Sequence, residues 1–312
     1  MNFATLQGLT IPEGNVVEIT DASGRALWEL QNSKEAVLQV SKQTLDTYAG
    51  ETAYTGESFI AIDVYPKTNG TVSVTYGGLT KTIRDTSGAE EPNAQTVYFG
   101  TLYGVSDSVA TPDSGELVIE GDFAAFGCGT YTEKGKLTGL ASAAYCGCIT
   151  AVNEWGRVTS IPNRAFYNCE YLTIKPIPFS VTSIGTYAFY GCDGITSIVV
   201  PYGVTHLADS TFEECRNLTS LTLPSTLETI GSGVAFSSLN YTIVLTINVL
   251  ATTPPTWVGT GDSMGLLING NSCHNIITVP KGCLEAYQTA NGWSEYATYD
   301  AWGNTVTMKE VS

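Results

Sequence analysis

Few side chains in this sequence are able to do covalent or metal chemistry. Eight cysteines occur, Cys128, Cys146, Cys148, Cys169, Cys192, Cys215, Cys273 and Cys283, with two histidines, His206 and His274. A thiol or hydroxyl nucleophile needs a base held against it. Cys273 and His274 adjoin in the loop NGNSCHN, but neighbouring side chains usually point apart, so they make no dyad. His206 stands where similar segments carry Ser160 and Ser183, and both histidines read as solvent-facing or locally hydrogen-bonded. Cys146 and Cys148 are spaced C-x-C, which is not the C-x2-C of structural zinc. Neither a metal nor any other cofactor is expected. Acids adjoin at Glu90–Glu91 and Glu213–Glu214. A glycosidase needs two carboxyls facing each other across roughly 5–10 Å, whereas adjacent exposed acids are usually only solvated. No G-x-x-x-x-G-K-[ST] or G-x-G-x-x-G opens a helix. The expectation is a protein without a catalytic residue, with a carbohydrate-active enzyme as the minor alternative.

The spacing of the cysteines points to packing. VTSIPNRAFYNCEYLT starts at Val158, VTSIGTYAFYGCDGIT at Val181, VTHLADSTFEECRNLT at Val204 and LETIGSGVAFSSLNYT at Leu227. The starts are 23 residues apart. A fixed period of this size with aliphatic residues at set offsets marks a leucine-rich-repeat solenoid. Such a unit cannot bury its apolar face alone, but stacked units can. Ile161, Ile184, Leu207 and Ile230 form one column; Phe166, Phe189, Phe212 and Phe236 form the next, the last displaced by one residue. Cys169, Cys192 and Cys215 follow, with Leu239 in their place in the fourth unit. That exchange favours the thiol as a small hydrophobe. Upstream, AAYCGC (143–148) puts Tyr145 and Cys148 in the columns, and GDFAAF (121–126) puts Phe123 and Phe126 there, giving about six units. LTSLTLP (218–224) and ITSIVVP (195–201) alternate as strands do, and the AFYGC-type segments are expected to form a single helical turn. Parallel side chains in a column disfavour disulfides, so Cys169, Cys192 and Cys215 are expected as free buried thiols. Cys128–Cys146 or Cys273–Cys283 are open as pairs outside the column.

Composition agrees with strands and tight turns. Charged residues are 14% and glycine numbers 32. The net charge of −16 argues against nucleic acid, which needs a basic face, and against an anionic membrane surface. No apolar run is long enough to insert in a membrane; YTIVLTINVL (241–250) is short and broken by Thr and Asn. MNFATLQGLTIPEGN lacks a basic n-region and an apolar core, so it does not read as a secretory signal. If Met1 is the native start, synthesis in the cytoplasm without general export is expected; the alternative is a truncated chain with an added Met. In the first third, SFIAIDVYP, TVSVTY and LTKTI read as strands separated by TNG and GG turns. DTSGAEEPNAQ (85–95) reads as a linker, and TVYFGTLYGV and GELVIEGDF as strands leading into the solenoid.

VTSIGTYAFYGCDGITSIVVP resembles the BspA-like leucine-rich-repeat proteins of gut bacteria and some protozoa. ATTPPTW (251–257) and IITVPKGCLEAYQTANGWSEY (276–296) are similar to the ending of that family. The resemblance implies a final strand, a short helix near Leu284–Ala290 and Trp293 plugging the core. It also implies adhesion without catalysis. MNFATLQGLTIPEGNVVEITDASGRALWEL resembles the N-terminal tag of tail proteins from phages and prophages of gut bacteria, and residues 50–83 resemble the small β module that follows it. The expected fold is α+β and β-rich. It comprises an attachment segment (1–30), a small β domain and linker (31–95), a leucine-rich-repeat solenoid (96–250) and a capping region (251–312). The expected role is a virion protein presenting the solenoid to a host-surface protein or glycan. Its N-terminal segment would meet other virion subunits, with homo-oligomerisation adding avidity. A bacterial surface adhesin is the alternative. Tyr167, Tyr171, Tyr187, Tyr190 and Tyr202 are not needed for the columns and are the candidate contact residues; ordinary packing between units is the competing reading.

Overall fold

A computed structural model describes residues 35–45, 57–85, 94–102, 105–131, 144–145, 147–235, 244–258, 274–297, 300–301 and 304–311. The proposed attachment segment, Phe236, Cys146, Cys273 and the Glu90–Glu91 pair lie outside these residues, as do the side chains of Tyr145 and His274.

The N-terminal part is two packed antiparallel sheets. In one, Glu35–Ser41 lies between Ser114–Gly121 and Ile149–Trp155; Ser114–Gly121 then pairs with Thr71–Tyr76, and that strand with Leu79–Arg84. Gly77 and Gly78 join the last two, both with positive φ. That is the two-residue turn whose twist matches a hairpin. In the other sheet Glu57–Pro66 pairs with Gln43–Leu45, Gln95–Leu102 and Phe123–Cys128. Alternation sends Leu38, Val40, Val72, Val74 and Ile119 inward, where they are buried. Phe59, Ile60, Ala61 and Ile62 are all buried, as a continuous apolar run with cover on both faces should be. The segments TVYFGTLYGV and GELVIEGDF thus pair within this sandwich, because their partners are Glu57–Pro66, Glu35–Ser41 and Thr71–Tyr76.

Ile149–Trp155 is the changeover. One edge is antiparallel to Glu35–Ser41 and the other parallel to Thr173–Ile174. Beyond it the chain coils, and successive coils pair in parallel. One ladder runs Ser160–Ile161, Ser183–Ile184, His206–Leu207, Thr229–Ile230 and Thr256–Trp257. A second runs Ser197–Val199, Ser220–Leu223, Thr246–Val249, His274–Val279 and Asn304–Glu310. The register steps Ser160 to Ser183 and Ile184 to Leu207, the 23-residue period of the sequence.

The AFYGC segments correct the expectation of a single helical turn. Alternate amides point to different partners. Tyr167 and Cys169 donate to the carbonyls three residues back, whereas Arg164, Phe166 and Asn168 donate to Thr186, Ala188 and Tyr190 in the next coil, at 2.8–2.9 Å. Left-handed residues make this possible. Arg164, Tyr187, Ser210 and Gly233 share one such column, and Asn168, Gly191 and Glu214 another. A residue with positive φ interrupts an α or 3-10 helix, and the third side of each coil becomes a further backbone ladder.

Inside, like stacks on like. Ile161, Ile184, Leu207 and Ile230 are buried, as are Phe166, Phe189 and Phe212 and the thiols of Cys148, Cys169, Cys192 and Cys215. Phe189 stacks on Phe166 at 5.1 Å and on Phe212 at 5.5 Å. At the N-terminal end Phe126 and Trp155 meet Phe166 edge-on at 6.2 and 5.8 Å, so the sandwich closes that end of the core. At the other end helix Leu284–Thr289 carries buried Tyr287, and Trp293 follows, also fully buried. Trp293 Nε1 donates to Pro255 O and Tyr287 Oη to Ala251 O, both at 2.8 Å. Gly292, at φ +80°, passes so close to Trp257 that a Cβ would lie 2.1 Å from its ring, which only glycine allows. Among the described residues no helix is long and apolar enough to cross a membrane.

Candidate functional site

The side chain after Phe166, Phe189 and Phe212 is only half-buried, whereas the Phe itself is in the core. Tyr167 and Tyr190 lie one coil apart, about the 4.8 Å strand spacing. Their rings stack at 4.7 Å with planes 8° apart. Tyr187, on a left-handed residue, turns its ring edge-on to both, at 6.3 Å from Tyr167 and 5.7 Å from Tyr190. The Arg164 guanidinium lies 5.3 Å from the Tyr187 ring centre, a cation–π contact. All three tyrosines are half-buried. The reading of free surface and the reading of packing between units therefore each describe part of them. Tyr167 and Tyr190 each spend one ring face on the other.

In the next coil the same position is Glu213, half-buried. Burial pushes its carboxyl up, with neighbouring Glu214 adding to the shift and a hydrogen bond to Ser210 opposing it. Burial likewise pushes the Tyr190 hydroxyl up, helped by Tyr167, Glu213 and Glu214 and opposed by Arg216. Glu214 turns inward and is buried, 3.4 Å from Arg216 Nε; Arg216 also meets Asp193 at 3.2 Å. Glu213 is thus half-buried at the end of the stack, while Glu214 is buried beside Arg216. The surface is an aromatic stack flanked by Arg164 and Arg216 and ended by a carboxylate. Sequence reading passed over Arg164 and Arg216 and weighed Glu213 only as half of an acidic pair. Their signal is positional, since Arg164 shares the column of Tyr187 and Glu213 that of Tyr190.

Tyr171 and Tyr202 are placed differently. Tyr171 is 72% exposed and Tyr202 57% exposed. Among the described residues no ring contact joins either to the stacked three. The Tyr202 carbonyl accepts the Thr226 hydroxyl of the next coil. His206 stands on the outer side of its strand, its Nδ1 2.5 Å from the Thr229 hydroxyl. Thr159, Thr182 and Thr205 are exposed one position earlier in successive coils, and exposed Glu228 follows them in the same row.

The thiols are buried and free in the column. Cys192 donates to Phe166 O and Cys215 to Phe189 O, each at 3.0 Å. Burial pushes Cys192 well up and Cys215 up to about 12. Thiols this reluctant to ionise are poor nucleophiles. Cys128 and Cys283 also carry free thiols. Among the described residues no group of three or more His, Cys, Asp or Glu is arranged to hold a metal ion.

The sequence model of a family described as BspA type leucine-rich repeat region matches residues 140–252, in six copies. That stretch covers the tyrosine stack, four strands of the first parallel ladder (Ser160–Ile161 to Thr229–Ile230) and three of the second (Ser197–Val199 to Thr246–Val249), and repeats of this type fit a recognition protein. A comparison with curated proteins found no match.

Proposed function

We propose that this chain is a non-enzymatic adhesion protein of a phage virion, on a tail or tail fibre, that offers its solenoid to a protein or glycan on a host surface. The observation that carries the reading is the tyrosine array on a rigid frame. Tyr167, Tyr187 and Tyr190 are held by three backbone ladders, and Tyr171 and Tyr202 project further. Tyrosine supplies broad contact area for little loss of side-chain entropy, and held rings lose less still. Each coil repeats the surface with different residues, so recognition is spread over several weak contacts. Homo-oligomerisation would convert these into avidity. The virion assignment rests on the phrase resemblance of residues 1–30, which would dock on other virion subunits.

Two measurements test the reading. Peptide mass spectrometry on gradient-purified phage particles is expected to find the chain at stoichiometric copy number. Recovery only from the bacterial envelope would replace the virion role with a cell-surface adhesin. Binding of the full chain to intact host cells is expected to fall at least tenfold when Tyr171, Tyr190 and Tyr202 are changed together to Ala, with an unchanged circular dichroism spectrum. Undiminished binding would remove the tyrosines from the contact surface.

A further inference from the structure

We propose that Cys128 and Cys169 form a reversible disulfide that fastens the N-terminal sandwich to the first coil of the solenoid, with a hydroperoxide as the oxidant. Cys128 ends the strand Phe123–Cys128 of the sandwich, and Cys169 follows Cys148 in the thiol column of the repeats. Their sulfurs lie 3.2 Å apart. A disulfide closes this to about 2.05 Å, so roughly 1 Å of side-chain movement remains. The backbone on both sides is already docked. Cys128 N donates to Ala165 O at 2.6 Å, and Thr159 N to Ala124 O at 2.9 Å.

Cys169 differs from its column mates in one respect. Cys192 and Cys215 reach the carbonyl of a Phe one coil back. Cys169 has the sandwich on that side and meets a thiol there.

The two sulfurs are also unequal. Burial pushes Cys128 up, but hydrogen bonds from the Cys148 and Cys169 thiols and from the Ile149 and Cys148 amides outweigh it and hold Cys128 well below the usual thiol range. Burial pushes Cys169 well up, and the hydrogen bond to Cys128 and the charge there add to it. Cys128 is therefore the readier of the two to ionise and Cys169 the readier to keep its proton, the division of labour that thiol oxidation needs. In the first step the Cys128 thiolate attacks one oxygen of hydrogen peroxide. The O–O bond breaks, the departing hydroxide takes a proton to become water, and Cys128 becomes a sulfenic acid. In the second step the Cys169 sulfur attacks the Cys128 sulfur. The S–O bond breaks, the Cys169 proton leaves with the hydroxyl as water, and the disulfide forms. The sum is two thiols and one peroxide giving one disulfide and two waters. The closed loop spans 41 residues and includes the changeover strand Ile149–Trp155, so the bond locks the junction between the two folds.

The test uses the full chain, fully reduced, with eight thiols by titration. Hydrogen peroxide is added, the chain is denatured and alkylated, and linked peptides are assigned by fragment ions. A parallel sample is denatured and refolded in a glutathione redox buffer, so that burial does not limit access. The expected result is a loss of two thiols, a single Cys128–Cys169 link, and a Tm rise of about 4 °C or more that dithiothreitol reverses. Cys169→Ala should abolish the link and Cys192→Ala should leave it. A link from Cys128 to Cys146 or Cys148, or eight thiols remaining in both samples, overturns the proposal.

Discussion

Replacing Phe189 by Ala perturbs the solenoid where its packing is most regular. The ring is fully buried and lies between Phe166 at 5.1 Å and 13° and Phe212 at 5.5 Å and 20°. Truncation forfeits the transfer free energy of a buried aromatic, about 2–3 kcal/mol. It also removes two ring pairs of about 0.5–1.5 kcal/mol each. The cavity collapses little, because the backbone above and below is held by Phe166 N to Ala188 O and Phe189 N to Thr211 O. The expected loss is about 3–5 kcal/mol. Urea unfolding of the full chain, followed by circular dichroism and tryptophan fluorescence, measures it. Coils couple mainly to their neighbours, so amide exchange should accelerate first in residues 181–230. Tyr190→Ala is the matched control one residue on. Half-buried, stacked on Tyr167 and edge-on to Tyr187, it should cost about 1–2 kcal/mol, the lower part of the range for two ring pairs. A loss under about 1 kcal/mol at Phe189, or an equal loss at both positions, would refute the column reasoning.

Three further outcomes are expected. Gly185→Ala places a Cβ 2.5 Å from Asn163 N and 2.4 Å from the Oδ1 that accepts Thr186 N. Thermal unfolding should show destabilisation by about 1–3 kcal/mol, and the modest gain of an ordinary Gly→Ala change would contradict the close approach. Burial raises the Cys215 pKa from 9.0 to about 12, so the folded chain keeps a proton that the unfolded chain releases. The resulting stability is complete below about pH 9 and declines as pH rises from there towards 12. Cys215→Ala should flatten that decline in urea titrations at pH 9–11, and equal slopes would refute it. Tyr287→Phe deprives buried Ala251 O of its 2.8 Å donor. A loss of about 1–2 kcal/mol is expected, read by fluorescence of Trp257 and Trp293; a neutral substitution would place water at that carbonyl.

The repeat was legible because the period is carried by identical apolar types at identical offsets, as at Phe166, Phe189 and Phe212. Burial follows directly from such a pattern. The conformation of the AFYGC segment was not legible. Left-handed φ falls on Arg164, Tyr187, Ser210 and Glu214, residues whose local preference argues against it; hydrogen bonds from the next coil override that preference. The changeover strand was equally hidden. Ala36 faces Trp155 and Val40 faces Ile149, a pairing between distant segments that no local signal announces. For the candidate surface, the sequence indicated that Tyr167 and Tyr190 are surplus to the columns. Their stacking depends on the rise between coils, and Arg164 and Glu213 emerge beside them only when columns are compared position by position. The Cys128–Cys169 contact depends on which segment closes the N-terminal end of the core, a tertiary fact.

Each inner coil accepts on one side what it presents on the other: a Phe ring, a carbonyl for a thiol, and outward amides for the next turn. Cys192 to Phe166 O and Cys215 to Phe189 O are the same joint at the same 3.0 Å. The two ends are specialised, but neither depends on how many coils separate them. Reach is consequently a discrete quantity. Duplicating or deleting one 23-residue stretch, the interval from Ser160 to Ser183, moves the cap by about 4.8 Å and leaves both terminal joints as they were. In-frame recombination between such similar stretches would let a population of these genes explore tip distance and surface sequence together, with the core conserved by construction of the repeat itself.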